Sequence, residues 1–344
     1  MLKTFLPAAA MTLMATTALA DVPQVATDIA PVHGLAARVM QGVGEPHLVV
    51  PPGASPHGHS MRPSDARALA KADAVFWIGE ALTPWLEGPV ENLAGQAHVV
   101  ELLGAGNTLA LPFRETAAFG VDAHDGHDDH GEVHEEHAEH EDHGDHEEAQ
   151  ADHDDHGGTD EDGHESHGHG GHAHEGTDPH AWLHPENAKA WMALIAEELA
   201  ELDPENADTY RANAQAGQAE IDAAAAETAA MISPLEGGHF VVFHDAYQYF
   251  EAAFGLEVLG AIALSDASRP SPAQLAGIRD AAKAEGVACV FAEPQFNPGL
   301  VATVAEGTGA GTAVLDPLGT EIALGPQFYP QLLRALGSAA AGCQ

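Results

Sequence analysis

Glu205–Ser233 reads ENADTYRANAQAGQAEIDAAAAETAAMIS, 29 residues with no internal proline and a single glycine. Alanine is the best helix former, and at 1.5 Å per residue the stretch makes a rod of about 43 Å. That is well over twice the mean helix length and too long for a crossover inside one small lobe. It predicts a rigid spine with a lobe on either side. Both flanks alternate short apolar runs with helical patterns, which implies parallel strands covered by helices. Upstream, VPQVATDIA, HLVV, DAVFWIG and HVVELL read as strands. The stretches from Pro31, from Thr83 and around SDARALAKA, with Ser64 or Asp65 as its cap, read as helices. Downstream, GHFVVFHDA, LEVLGAIAL, VACVFAEP and TAVLDPLG read as strands, and the Ser271-Pro272 segment opens a helix. The fold class is α/β, two similar lobes joined by a long helix. The expected boundaries are a leader at 1–20, an N-terminal lobe at 21–204, the linking helix at 205–233 and a C-terminal lobe at 234–344.

The leader, MLKTFLPAAAMTLMATTALA, has one lysine, an apolar run and Ala-Leu-Ala before Asp21, the pattern of a secretory signal. Its apolar run is too short to span a bilayer. No cysteine stands at the cleavage point, so a lipid anchor there is not expected. The two cysteines, Cys289 and Cys343, form an even pair in an oxidising compartment, which suggests a disulfide tying the C-terminus to a strand. The alternative is two unrelated thiols, with Cys289 a buried strand residue.

The formal charge is −41, from 12 Lys+Arg against 53 Asp+Glu, and 21 of those acids fall between Gly120 and Gly176 with no base among them. The rest of the chain is acidic without being extreme. Phosphate binding needs clustered Lys and Arg, so nucleic acid is excluded as a partner, whereas a negative field favours cations.

The acidic stretch also carries fifteen of the 24 histidines: His124, His127, His130, His134, His137, His140, His143, His146, His153, His156, His164, His167, His169, His172 and His174. It interrupts the first lobe as an insert over 120–177. Its polarity predicts no packed core across roughly 123–177 without metal. The plain reading is a solvated linker. Against it, many of the histidines recur every three or four residues, close enough to chelate in pairs. They make the tract an accessory collector of Zn²⁺, Cu²⁺ or Ni²⁺ at weak sites.

Three further histidines stand in loops, where an α/β fold places ligands. His57 follows HLVVPPGASP, His244 follows HFVVF, and His180 follows the insert in Asp178-Pro179-His180. Neutral imidazoles are strong ligands for Zn²⁺. A lone histidine at a strand end is more often an ordinary hydrogen-bonded residue. Three of them beside a histidine tract favour a metal site. A fourth donor is available from Asp316 in VLDPLG or from Glu293 in FAEPQF, or else is a water. His59 and His184 come nearest to this set as supporting residues, and His33, His47, His98 and His239 read as ordinary surface or strand-start positions.

GASPHGHSMRPSD, DPHAWLHPENA, FHDAYQYFE and VFAEPQFNPGLV with LDPLGT resemble the ZnuA family, zinc-specific periplasmic binding proteins of ABC transporters among the cluster A-I metal-binding proteins. The four motifs are in order and the likeness covers the whole chain after the leader. The resemblance implies a metal site in an interlobe cleft, with His57, His180 and His244 as zinc ligands. Asp316 matches the aspartate of manganese-binding relatives. It also implies a periplasmic monomer whose partners are an inner-membrane ABC permease and its ATPase, with a periplasmic metallochaperone as a further candidate. The cysteine pair matches a disulfide of some members. His59 departs from the aromatic residue that many members carry there.

Capture and delivery of zinc is therefore the leading expectation, with a rigid spine limiting lobe motion. A metal buffer or adhesin built on the tract is one alternative. A zinc hydrolase with three histidines and a water is the other, although the chain has no HExxH, no G-x-S-x-G and no Gly-rich phosphate loop.

Overall fold

Two four-stranded sheets, parallel throughout, share the same strand order on either side of the spine. In the computed structural model, residues 22–114, 176–235, 237–263 and 270–343 are described. The leader and the fifteen histidines of the tract lie outside them. The first sheet consists of β1 (Val25–Thr27), β2 (His47–Leu48), β3 (Ala74–Trp77) and β4 (His98–Glu101), in the order β2-β1-β3-β4. The second consists of β5 (His239–His244), β6 (Glu257–Ala263), β7 (Cys289–Ala292) and β8 (Gly311–Val314), in the order β6-β5-β7-β8. Interior strands such as β3 (AVFW, all buried) read as continuous apolar runs because helices cover both faces. The edge strand β4 is mostly exposed.

The crossovers are α1 (Ala30–Val39), α2 (Pro63–Leu69) and α3 (Pro84–Leu93) in the first lobe, then α6 (Gln248–Phe254), α7 (Pro272–Ala284) and α8 (Pro298–Ala305) in the second. Between the lobes come α4 (Pro185–Leu202) and α5 (Ala207–Ile232), and α9 (Phe328–Ala341) closes the chain. Ser271 caps α7 as expected, its hydroxyl accepting from Gln274 N at 3.2 Å. The cap of α2 is a correction. The helix starts at Pro63 with Arg62 as its N-cap, and Asp65 serves from the third position, its carboxylate accepting the Arg62 N–H at 3.1 Å. Proline at the first helical position outweighs the local Ser-Asp signal.

The spine is 26 residues long, about 39 Å. It buries one narrow stripe, Tyr210, Ala214, Gly217, Ile221, Ala224, Thr228 and Ile232, at the three- and four-residue spacing of a helix face. Its single glycine sits where helices come closest: a Cβ on Gly217 would stand 2.9 Å from Arg38 Cγ and 2.5 Å from Met192 Sδ. Arg38 of α1 forks onto Glu220 of α5 through Nε and Nη2, at 3.0 and 2.9 Å. Asn213 donates to the carbonyls of Val39, the last residue of α1, and of Gln41 just beyond it.

The rod does not merely span a gap. It lies along both lobes, and α1 of the first lobe touches α9 of the second directly: a Cβ on Gly34 would be 2.7 Å from Phe328 Cβ. One buried apolar cluster runs from Val25 and Leu35 through Ile221 to Leu332 and Leu336. Shared packing of this kind resists hinge opening. Cys289 and Cys343 are bonded, fastening the C-terminus to β7. Among the described residues, no helix is long and apolar enough to cross a membrane.

Candidate metal centre

Parallel sheets bring their carboxyl ends to one side, and the loops there gather the site. His57 lies in the loop after β2, whose Pro56 carbonyl accepts from Trp85 Nε1 at 2.6 Å. His244 is the last residue of β5. His180 directly precedes a 3₁₀ turn, Ala181–Leu183, that leads into α4. One ligand atom from each of His57, His180 and His244 lies within 4.8 Å of the others. The structure thus brings the three sequence-selected histidines together.

Two of them are tightly held. His180 and His244 are 4% and 5% exposed. Asp178 Oδ1 accepts from the His180 backbone N–H at 2.9 Å and lies 2.7 Å from its Nδ1. Glu293 Oε1 does the same for His244, at 3.3 and 2.7 Å. When ionised, a carboxylate only accepts, so each neutral ring paired with one carries its proton on Nδ1 and a lone pair on Nε2. Those Nε2 atoms face each other 3.3 Å apart. Burial, reinforced by the neighbouring His244, drives the pKa of His180 well below its ordinary value, so the ring stays neutral. Two lone pairs at that distance repel unless a cation lies between them. Tetrahedral nitrogens at 2.0–2.1 Å from zinc stand about 3.3–3.4 Å apart, which matches.

Burial also raises Asp178 and Asp245 to about 7, opposed by the Arg114 guanidinium. Arg114 lies 3.4 Å from Asp245 and pairs with Glu251. It is the last described residue before the tract. The two ends of that excursion are joined: Pro112 bridges Thr177, and Asp178 N donates to Leu111 O at 2.8 Å. The described residues that flank the tract thus meet next to the His180 loop.

Trp182, Phe296, Pro317 and Leu318 wall a cavity of about 20 Å³ around the histidines. Asp316 stands outside the histidine group. Its Oδ1 accepts from Leu318 N and Gly319 N at 3.0 Å each, and Oδ2 from Thr320 N at 2.6 Å, so the carboxylate folds the wall loop. Glu293 is occupied with His244. His59 packs against Trp85, ring centroids 5.4 Å apart. His184 caps α4 by accepting from Glu186 N. His33, His47, His98 and His239 bond to Pro46 O, Asp65, Glu198 and Glu257. The positioning role of Asp178 escaped the sequence reading, although its place two residues before His180 was the available signal.

A profile of the family described as "Zinc-uptake complex component A periplasmic" matches residues 25–341. The high-affinity zinc uptake system protein ZnuA of Brucella abortus is 43% identical over 319 residues, 93% of this chain and 91% of that protein. Its namesake from Paracoccus denitrificans is 42% identical over 337 residues, 98% of this chain and 96% of that protein. A crystal structure of ZnuA superposes with a TM-score of 0.68 at 23% identity, covering 94% of this chain and 99% of that one, a likeness of fold. The chain belongs to the ZnuA family of periplasmic zinc-uptake components.

Proposed function

We propose that this protein captures Zn²⁺ in the periplasm and delivers it to an inner-membrane ABC permease and its ATPase. The observation that carries the reading is the His180–His244 pair, whose Nε2 atoms are 3.3 Å apart and whose Nδ1 atoms are each backed by a buried carboxylate. His57 is the third zinc ligand. The all-nitrogen donor set suits zinc, whereas Mn²⁺ prefers more oxygen ligands. In this reading Asp316 shapes the wall loop and a water completes the tetrahedron. The continuous core through the spine supports release by loop rearrangement or docking rather than by wide opening of the lobes. Residues 1–20 act as the cleaved leader, and N-terminal sequencing of the exported protein should begin at Asp21.

The tract serves as a low-affinity collector whose described flanking residues meet beside the His180 loop. Titration calorimetry tests both roles. The full chain should take one tight zinc and several weaker ones, and deletion of 123–176 should leave only the tight one. His57→Ala, His180→Ala and His244→Ala should each abolish that tight site in the deleted protein. Unchanged affinity in all three would overturn the assignment. A hydrolase of esters or peptides with the same three ligands would need a free general base at the metal water, and the buried carboxylates beside the histidines, Asp178 and Glu293, are bonded to His180 and His244. Saturable turnover of such substrates by the zinc-loaded protein would revive it.

A further inference from the structure

We infer that Gln295 holds the non-protein ligand of the bound metal, its carboxamide oxygen accepting a hydrogen bond from a water in zinc's fourth position. This rests on the three-histidine zinc site proposed above. Gln295 lines the same cavity as His57, His180 and His244. Its Nε2 reaches Thr320 Oγ1 at 3.5 Å, which turns the amide so that Oε1 is buried with no hydrogen-bond partner among the described residues. Buried acceptors are rarely left so.

Several other acceptors around the cavity are already engaged. Glu293 Oε1 receives both N–H groups of His244, Pro317 O receives Trp182 Nε1, and Pro56 O receives Trp85 Nε1. Asp316 is bonded to three backbone N–H groups. A metal-bound water has given a lone pair to the metal and has two O–H groups to donate. Gln295 Oε1, a buried acceptor in the same lining, can take one of them.

Two consequences follow from the group being a neutral amide. A chloride or azide in the fourth position would bring negative charge against the carbonyl lone pairs, so the site disfavours anions. The amide also adds no charge of its own, so the donor set stays rich in nitrogen and selective against Mn²⁺. A carboxylate at the same place would supply the hard oxygen that Mn²⁺ prefers.

The test uses the full chain loaded with one equivalent of Co²⁺, whose visible spectrum reports on its coordination, together with competitive Zn²⁺ and Mn²⁺ binding. Wild type should show little response to azide. Gln295→Leu should bind azide about tenfold more tightly, the equivalent of losing one hydrogen bond to the competing water. Gln295→Glu should suppress azide binding and raise the affinity for Mn²⁺ relative to Zn²⁺ by about tenfold, on the same scale. An azide titration of Gln295→Leu that overlays wild type, with an unchanged metal ratio in Gln295→Glu, overturns the assignment. The His→Ala variants separate this failure from that of the zinc site. If each of them changes the cobalt spectrum from that of the wild-type site while Gln295→Leu behaves as wild type, only the role of Gln295 falls.

Discussion

Glu293→Gln probes whether a buried carboxylate tunes the imidazole of His244, the ligand proposed above. Glu293 is 3% exposed, and one oxygen accepts both the ring and the backbone N–H of His244. A hydrogen bond to a charged group contributes about 1.5–3 kcal/mol, a neutral one about 0.5–1.5. Replacing the carboxylate by an amide of the same shape therefore costs roughly 1–1.5 kcal/mol of ligand positioning and basicity, about a tenfold loss in zinc affinity. The loss grows if the new amide donates to Nδ1, because the ring proton then moves to Nε2 and must be displaced by the metal. Losses of 10–100-fold are typical for partners of this kind. Competition of the tract-deleted variant against a chelator of known affinity measures the effect, and the apo protein's thermal midpoint checks the fold. Zinc binding within about twofold of wild type would refute the argument that the carboxylate supports His244.

Gly34→Ala should destabilise the protein by about 1–2 kcal/mol, with overpacking against Phe328 Cβ exceeding the helix-propensity gain. Chemical denaturation reads this, and zinc affinity should not move. Removing the Cys289–Cys343 bond closes a question of chain entropy: with 54 residues of separation its loss should cost up to about 4 kcal/mol, seen as a lower denaturation midpoint in reductant. Asp28 is buried, accepts from Ile29 N and Ile78 N at 2.7 Å each, and is raised by burial from 3.8 to about 7. Folding of the apo protein thus takes up a proton between about pH 4 and 7, and stability falls as pH rises through that window by at most about 4 kcal/mol. In Asp28→Asn the slope of unfolding free energy against pH should change by up to one proton, and an unchanged slope would contradict the assignment.

The spine could be read from Glu205–Ser233 because alanine density and the absence of proline are local properties, and its stripe from Tyr210 to Ile232 follows from helix periodicity. Its relation to the lobes could not be read, since the Gly34–Phe328 approach joins residues nearly three hundred positions apart. The same contrast holds at the site. His57 and His244 stood out as imidazoles at the ends of apolar runs, and His180 as one in the loop directly after the histidine tract. Glu293 could be selected as a carboxylate near a strand end, but whether it faces metal or His244 depends on a contact spanning 49 residues. Asp316 looked like a ligand by position, and the three N–H groups that bond it belong to its own turn. The Ser64-Asp65 pair misplaced the start of α2 because Pro63 suits the first helical position better.

The central claim is that His57, His180 and His244 hold one zinc ion with a single non-protein ligand. Anomalous diffraction at the zinc edge, on crystals of the tract-deleted protein with one equivalent of zinc, tests it directly. The account predicts one peak among the Nε2 atoms of the three histidines, with Zn–N distances of about 2.0–2.1 Å and one additional oxygen. A zinc peak elsewhere, or one coordinated by Asp316 in place of any of these imidazoles, would contradict it.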